Sequence, residues 1–177
     1  MAGFNAAQVD GDDLKGYNKL GLNIGFFIET KFNKKFNYQF EIKYAHKGSS
    51  KKLTEKDNES YKINLDYIEI PVLLKYKYND KLNLLGGLSI GYLMDGFDEL
   101  HGYRSPYDQA DEFNDIDLSG ILGITYKLKE KFRIDLRFQY SIIPIRQFLD
   151  NIPLRFNKNQ FNNVISTSLY YIVDLKK

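Results

Sequence analysis

The stretch that decides the fold is "FNYQFEIKYAHK", Phe36 to Lys47. Phe36, Tyr38, Phe40, Ile42 and Tyr44 share one parity, and Asn37, Gln39, Glu41, Lys43 and Lys47 the other. A period of two is the pattern of a β-strand whose faces meet different surroundings. An inward aromatic face would make a soluble barrel or sandwich, whereas an outward one must face lipid.

The same pattern recurs along the chain. "KFNKKFN" (Lys31 to Asn37), "KYNDKLN" (Lys77 to Asn83) and "KLKEKFR" (Lys127 to Arg133) each set a tight polar turn between alternating segments. This is a hairpin signal, repeated about every fifty residues as successive hairpins of a meander would be. Longer polar stretches lie near 8–19, 48–61, 95–114 and 144–162. Eight strands follow, near 2–8, 20–32, 35–47, 61–78, 81–94, 115–129, 131–143 and 163–175. Short and long connections alternate, so all turns gather at one end and all loops at the other. This predicts an all-β, eight-stranded, antiparallel up-and-down transmembrane β-barrel, one domain over 1–177. Strands of about eleven residues match the roughly 9–11 needed to cross a bilayer at a tilt.

Volume decides between the faces. The apolar parity carries Phe26, Phe40, Ile42, Leu136 and Phe138, and the other carries Gly21, Gly25, Gly87, Ser89, Gly91, Ser119, Gly123 and Ser141. Among the small residues sit Glu29, Glu41, Lys43, Glu69, Lys75, Asp117, Arg133, Asp135 and Arg137. An eight-stranded barrel has just enough interior for side chains. Bulky residues at every inward position would overfill it, while Gly, Ser and balanced charges fit as an internal ion-pair network. The expected lipid-facing set is therefore Phe26, Phe40, Ile42, Leu136 and Phe138. The alternative is a soluble lipocalin-like ligand-binding barrel with the faces reversed. Aromatics near strand ends, Phe32, Tyr78 and Phe132 at the turns and Tyr44, Tyr92 and Tyr140 toward the loops, fit interfacial girdles. In "LDYIEIP" the apolar parity shifts from Leu65 and Tyr67 to Ile68 and Ile70, predicting a β-bulge near Tyr67–Ile68.

Composition removes several classes. The 177 residues carry a net charge of +2, without the basic excess of a nucleic-acid binder. There is no cysteine, which excludes disulfides, thiolate metal sites and thiol catalysis. No run reaches the roughly 18 apolar residues of a helical span. "MAGFNAAQVD" lacks the basic start and apolar region of a signal peptide, so the chain is either cytoplasmic or a mature exported chain given a new start methionine.

"GFNAAQVDGDDLKGYNKLGLNIGFF", "QFEIKYAHKGS", "LDYIEIPVLLKY", "GILGITYKL", "RFQYSIIPIR" and "NNVISTSLYY" resemble the PorT-like outer-membrane β-barrel family of Bacteroidetes-type bacteria. The likeness covers nearly the whole chain in order. It implies residence in the bacterial outer membrane, and one branch of that family is associated with protein secretion. The sequence departs from the family in ending on Lys176 and Lys177 instead of an aromatic residue.

Other motifs carry less. "GGLSIG" (Gly86 to Gly91) lacks the helix and Gly-Lys-Ser/Thr of a phosphate loop. "DGDD" (Asp10 to Asp13) lacks calcium-loop spacing and reads as a solvated turn. His101 and Ser105 share a loop and suggest a membrane-embedded lipid-modifying enzyme as the alternative function; His46 reads as an interfacial residue. From Asp95 to Asp117 eight acidic residues stand against one arginine. Asp95, Asp98, Glu99, Asp108, Asp111 and Glu112 form a candidate interaction surface for a cationic partner or for divalent ions bridging lipopolysaccharide. The expectation is a non-enzymatic, monomeric surface or interaction protein without cofactor or resident metal. Its surroundings would be outer-membrane lipid and lipopolysaccharide, with a protein partner at the loops.

Overall fold

The computed structural model describes residues 1–12, 14, 16–51, 60–104, 113–147 and 159–173. The strands are β1 (Ala2–Asp10), β2 (Lys19–Lys31), β3 (Phe36–Ser50), β4 (Tyr61–Lys77), β5 (Leu82–Leu100), β6 (Tyr103–Arg104), β7 (Ile116–Lys127), β8 (Phe132–Ser141) and β9 (Phe161–Tyr171). Order β4-β3-β2-β1-β9-β8-β7-β5 closes through the β4–β5 pairing into an eight-stranded antiparallel barrel. The two-residue β6 pairs only with the far end of β5, Leu100 opposite Tyr103.

Side chains alternate as the opening stretch requires. Along β3, Gln39, Glu41 and Lys43 are buried, while Phe40 and Ile42 are 47% and 53% exposed. Across the hairpin Phe40 stands opposite Ile28 and Ile42 opposite Phe26, all four on the outer surface. Phe26, Leu136 and Phe138 are exposed in the same way. At the turn end, rings pack edge-on or tilted as Phe32–Tyr38, Phe36–Tyr76 and Phe132–Tyr171, and near the loops Tyr140 stacks on Phe138 and Phe161. The glycines of the inner face permit close strand contact. A Cβ on Gly87 would lie 2.0 Å from the Val72 carbonyl oxygen, and one on Gly21 as near to that of His46.

Three expectations need correction. The predicted bulge is not on β4, where odd-numbered residues stay inward from Tyr61 to Lys75. It lies opposite: Asp66 faces Asp95 while Tyr67 faces Leu93, so the extra residue is Met94 of β5. Ile63, Leu65 and Tyr67 are therefore buried inside the barrel, and its loop end is apolar rather than small and polar. Second, β5 runs past the bulge to Leu100, so residues read as loop from 95 continue the wall against Tyr61 to Asp66. Third, the described part of "DGDD", Asp10 to Asp12, is not a solvated turn, because Asp12 is fully buried; Asp13 lies outside the described residues. Pro71 lacks an amide hydrogen, and the β3–β4 register, unchanged on either side, shows no pairing at Ile70 and Pro71.

Candidate functional site

The interior is built as layers on the inward parity. At the turn end, Glu29 of β2 takes the Arg133 guanidinium at 2.6 Å, the Lys75 ammonium at 3.4 Å and the Asn37 amide at 2.8 Å. Next, Arg137 of β8 spans the lumen. Its Nη1 and Nη2 donate to the two oxygens of Glu41 at 2.9 and 2.7 Å, and Nη2 also reaches Asp135 at 2.6 Å. Glu41 further accepts from the Tyr170 hydroxyl at 2.9 Å and from the Gln39 amide. The paired fork is the geometry in which arginine binds a carboxylate most strongly.

Toward the loops, Glu69 of β4 accepts from Lys43 at 3.0 Å, from Lys47, and from Gln139 at 2.9 Å. Lys47 also reaches Asp117 at 3.1 Å, and Asp117 accepts from Ser119, Ser141 and Asn162. The structure thus brings together all nine expected interior residues and adds Lys47. Glu29, Glu41, Glu69, Asp117 and Asp135 face Lys43, Lys47, Lys75, Arg133 and Arg137, five charges of each sign. Lys47 carried a legible signal, its parity with Glu41 and Lys43, but it stood at the edge of the predicted strand.

Above the charges lies an apolar plug: Val9, Tyr61, Ile63, Leu65, Tyr67, Phe113 and Ile145, all buried, with Leu14, Leu93 and Leu100 packed against them. Arg146 closes it. Its guanidinium lies 3.6 Å from the Phe113 ring centre and 3.2 Å from both oxygens of Asp98. The segment after β8 is held there by the Arg146–Gln160 bridge, with the Ile145 amide donating to the Gln160 carbonyl at 2.8 Å. Beside the plug, Asp12 accepts from the Leu14 amide at 2.8 Å. Burial pushes its carboxyl up to about 6, against the opposing pull of Ser49 and the Leu14 amide.

The acidic surface is only partly the free cluster expected. Asp98 is committed to Arg146, Glu99 to Lys62 at 3.0 Å, and Asp95 lies 3.7 Å from Arg104. Asp117 belongs to the interior, and Asp108, Asp111, Glu112 and Ser105 lie outside the described residues. Among the described residues no group of three His, Asp or Glu side chains is placed to hold a metal. His101 sits at the β5–β6 turn with positive φ (52°) and is exposed. His46 is engaged instead: Nδ1 lies 2.6 Å from Asp66, which also accepts from the Tyr44 hydroxyl. Sequence reasoning missed this pairing because Asp66 lies twenty residues away and meets His46 only through the β3–β4 register.

The profile of the family described as outer membrane protein beta-barrel domain matches residues 1–147. No curated protein matches the sequence. Among solved structures, Neisserial surface protein A is similar at 12% identity and a TM-score of 0.57, over 96% of this chain and 93% of that one. Ail, the attachment invasion locus protein of Yersinia pestis, is similar at 14% identity and a TM-score of 0.50, over 96% and 93%. With an outward apolar face, aromatic ends, a salt-bridged lumen and this family match, the chain belongs to the outer membrane protein β-barrel domain family and is a bacterial outer-membrane β-barrel.

Proposed function

We propose that this barrel is a non-enzymatic, non-conducting outer-membrane protein that acts through its loop end as an interaction surface. The observation that carries the reading is the closed interior. Ten paired charges fill the wall-to-wall space, and the apolar plug with Arg146 stands over them. Eight strands leave room for side chains and not for a water path. What remains for contact is the rim, where β4 and β5 extend together as far as Tyr61 and Leu100, β6 pairs with the end of β5, and Tyr103 is 80% exposed. A photo-crosslinking residue at Tyr103, with the lipid-facing Phe26 position as control, tests it in intact cells. A discrete protein or lipopolysaccharide adduct at Tyr103 supports the reading. No adduct, together with a defined unitary conductance in planar bilayers, replaces it with a pore.

Membership of the PorT-like branch rests on "DGDDLKGY", "YIEIPVLLKY" and "SIIPIR", and with it a role as a secretion accessory. Unchanged protein secretion in a deletion strain would remove that role and leave the surface reading standing.

A further inference from the structure

The turn end carries a charge pattern that the interior network does not absorb. The three short hairpins are built alike. In each, the amide of the third residue donates to the carbonyl of the sixth: Asn33 to Phe36, Asn79 to Leu82 and Lys129 to Phe132, all at 3.1 Å. The first and fifth positions are lysine every time: Lys31 and Lys35, Lys77 and Lys81, Lys127 and Lys131. Strand pairing then sets these lysines side by side. The Lys77 amide donates to the Lys35 carbonyl at 2.7 Å, and the Lys127 amide to the Lys81 carbonyl at 2.7 Å. Six consecutive strands, β2 to β5 with β7 and β8, thus contribute to one arc of ammonium groups around the mouth. Lys34 and Lys129 add to it, and within the three turns the only carboxylates are Asp80, paired with Lys77 at 2.6 Å, and Glu130.

Neighbouring strands lie about 4.8 Å apart, and like charges facing each other across a pair are unfavourable. A ring of this kind calls for an anionic partner. The second position of each turn indicates which one. Phe32, Tyr78 and Leu128 continue the outward parity of their strands and are 65%, 66% and 51% exposed. Each turn therefore presents an apolar side chain next to lysines, the arrangement in which the ring or chain enters acyl region and the ammonium reaches the headgroup plane. Between the first two turns is a cleft of about 500 Å³ lined by Lys31, Phe32, Lys34, Asn37, Lys77 and Asn83.

We infer that the turn end is a binding collar for anionic phospholipid, its lysine arc taking headgroup phosphates of the periplasmic leaflet. The leaflet follows from the position of short turns in outer-membrane barrels. An acidic protein or glycan would satisfy the charge alone, whereas a phospholipid meets both the lysines and the apolar side chains that sit beside them in the bilayer interface.

The test uses the folded full chain in vesicles containing a trace of spin-labelled lipid, with phosphatidylglycerol compared to phosphatidylcholine. The wild type should hold labelled phosphatidylglycerol about fivefold or more over phosphatidylcholine, the scale of a single lysine at an anionic surface. The preference should collapse toward one at 0.5 M salt (roughly a 4 Å screening length). It should also collapse in K31Q/K35Q/K77Q/K81Q, and survive both in K31R/K35R/K77R/K81R and in K62Q at the opposite rim. Equal association of the two lipids with wild type overturns the inference, even if acidic glycan binds the lysines. A preference retained in the glutamine variant, shown folded by its gel shift, overturns it as well. The salt arm needs no variant and decides the matter if that protein does not fold.

Discussion

Arg137→Met is the sharpest single perturbation of the interior. Arg137 is 4% exposed and supplies two bonds to Glu41, two to Asp135 and one to the Tyr170 hydroxyl. Methionine fills most of the volume but leaves the buried Glu41 and Asp135 carboxylates without their shared guanidinium, with Tyr170 and Gln39 as the remaining hydrogen-bond donors to Glu41. Removing one partner of a buried pair costs about 3–5 kcal/mol, whereas replacing the whole set is near neutral. R137M should therefore lose about 3–5 kcal/mol in urea titrations of protein folded in vesicles. R137M/E41Q/D135N should recover at least half of it, since Gln at 41 still accepts from Gln39 and Tyr170. The chain has no tryptophan, so circular dichroism and the heat-dependent gel shift of folded barrels are suitable readouts. An R137M protein within 1 kcal/mol of the parent, or a triple variant weaker than the single one, refutes the argument.

Phe138→Arg places a cation on the lipid face, where Phe138 is 42% exposed, and should cost about 2–4 kcal/mol in vesicle unfolding. Gly87→Ala should block folding or strongly weaken the β4–β5 pairing, because its Cβ meets the Val72 carbonyl at 2.0 Å; Gly120→Ala, whose nearest neighbour is Ile142 at 3.9 Å, should fold like the parent. Asp12 titrates at about 6 when folded against 3.8 otherwise, so the folded state binds the extra proton between those values. Stability should fall as pH rises from about 4 to 6, by up to about 3 kcal/mol, and then level off; Asp12→Asn should flatten that slope in urea titrations at pH 4.5 and 7.5.

Much of this was legible because alternation is a local property. Phe40 and Glu41 reveal opposite faces without reference to any other strand, and the crowding limit of an eight-stranded lumen decides which face is inside. The hairpins were legible for the same reason, since each turn carries its own polar residues. The bulge was not. The parity change at Tyr67–Ile68 looks like an extra residue in β4, but Ile63, Leu65 and Tyr67 are inward apolar residues, and the extra residue is Met94 across the ladder. Burial of Asp12 and closure by Arg146 over Phe113 depend on segments that meet only once the barrel has formed. No window of sequence contains both partners. The acidic excess of 95–117 likewise misled as a count, because Asp98, Glu99 and Asp117 each find a cation on a different strand or loop.

The central claim is that one face of each strand meets lipid and the other is sealed inside. Methyl NMR of the unmodified protein in nanodiscs, with a nitroxide on the lipid tails, tests it directly. The account predicts strong broadening of the δ1 methyls of Ile28, Ile42 and Ile90, which are 73%, 53% and 55% exposed, and sharp signals from Ile63, Ile121 and Ile145, which are at most 2% exposed. Broadening of the second set with the first left sharp, or equal broadening of both, would contradict it.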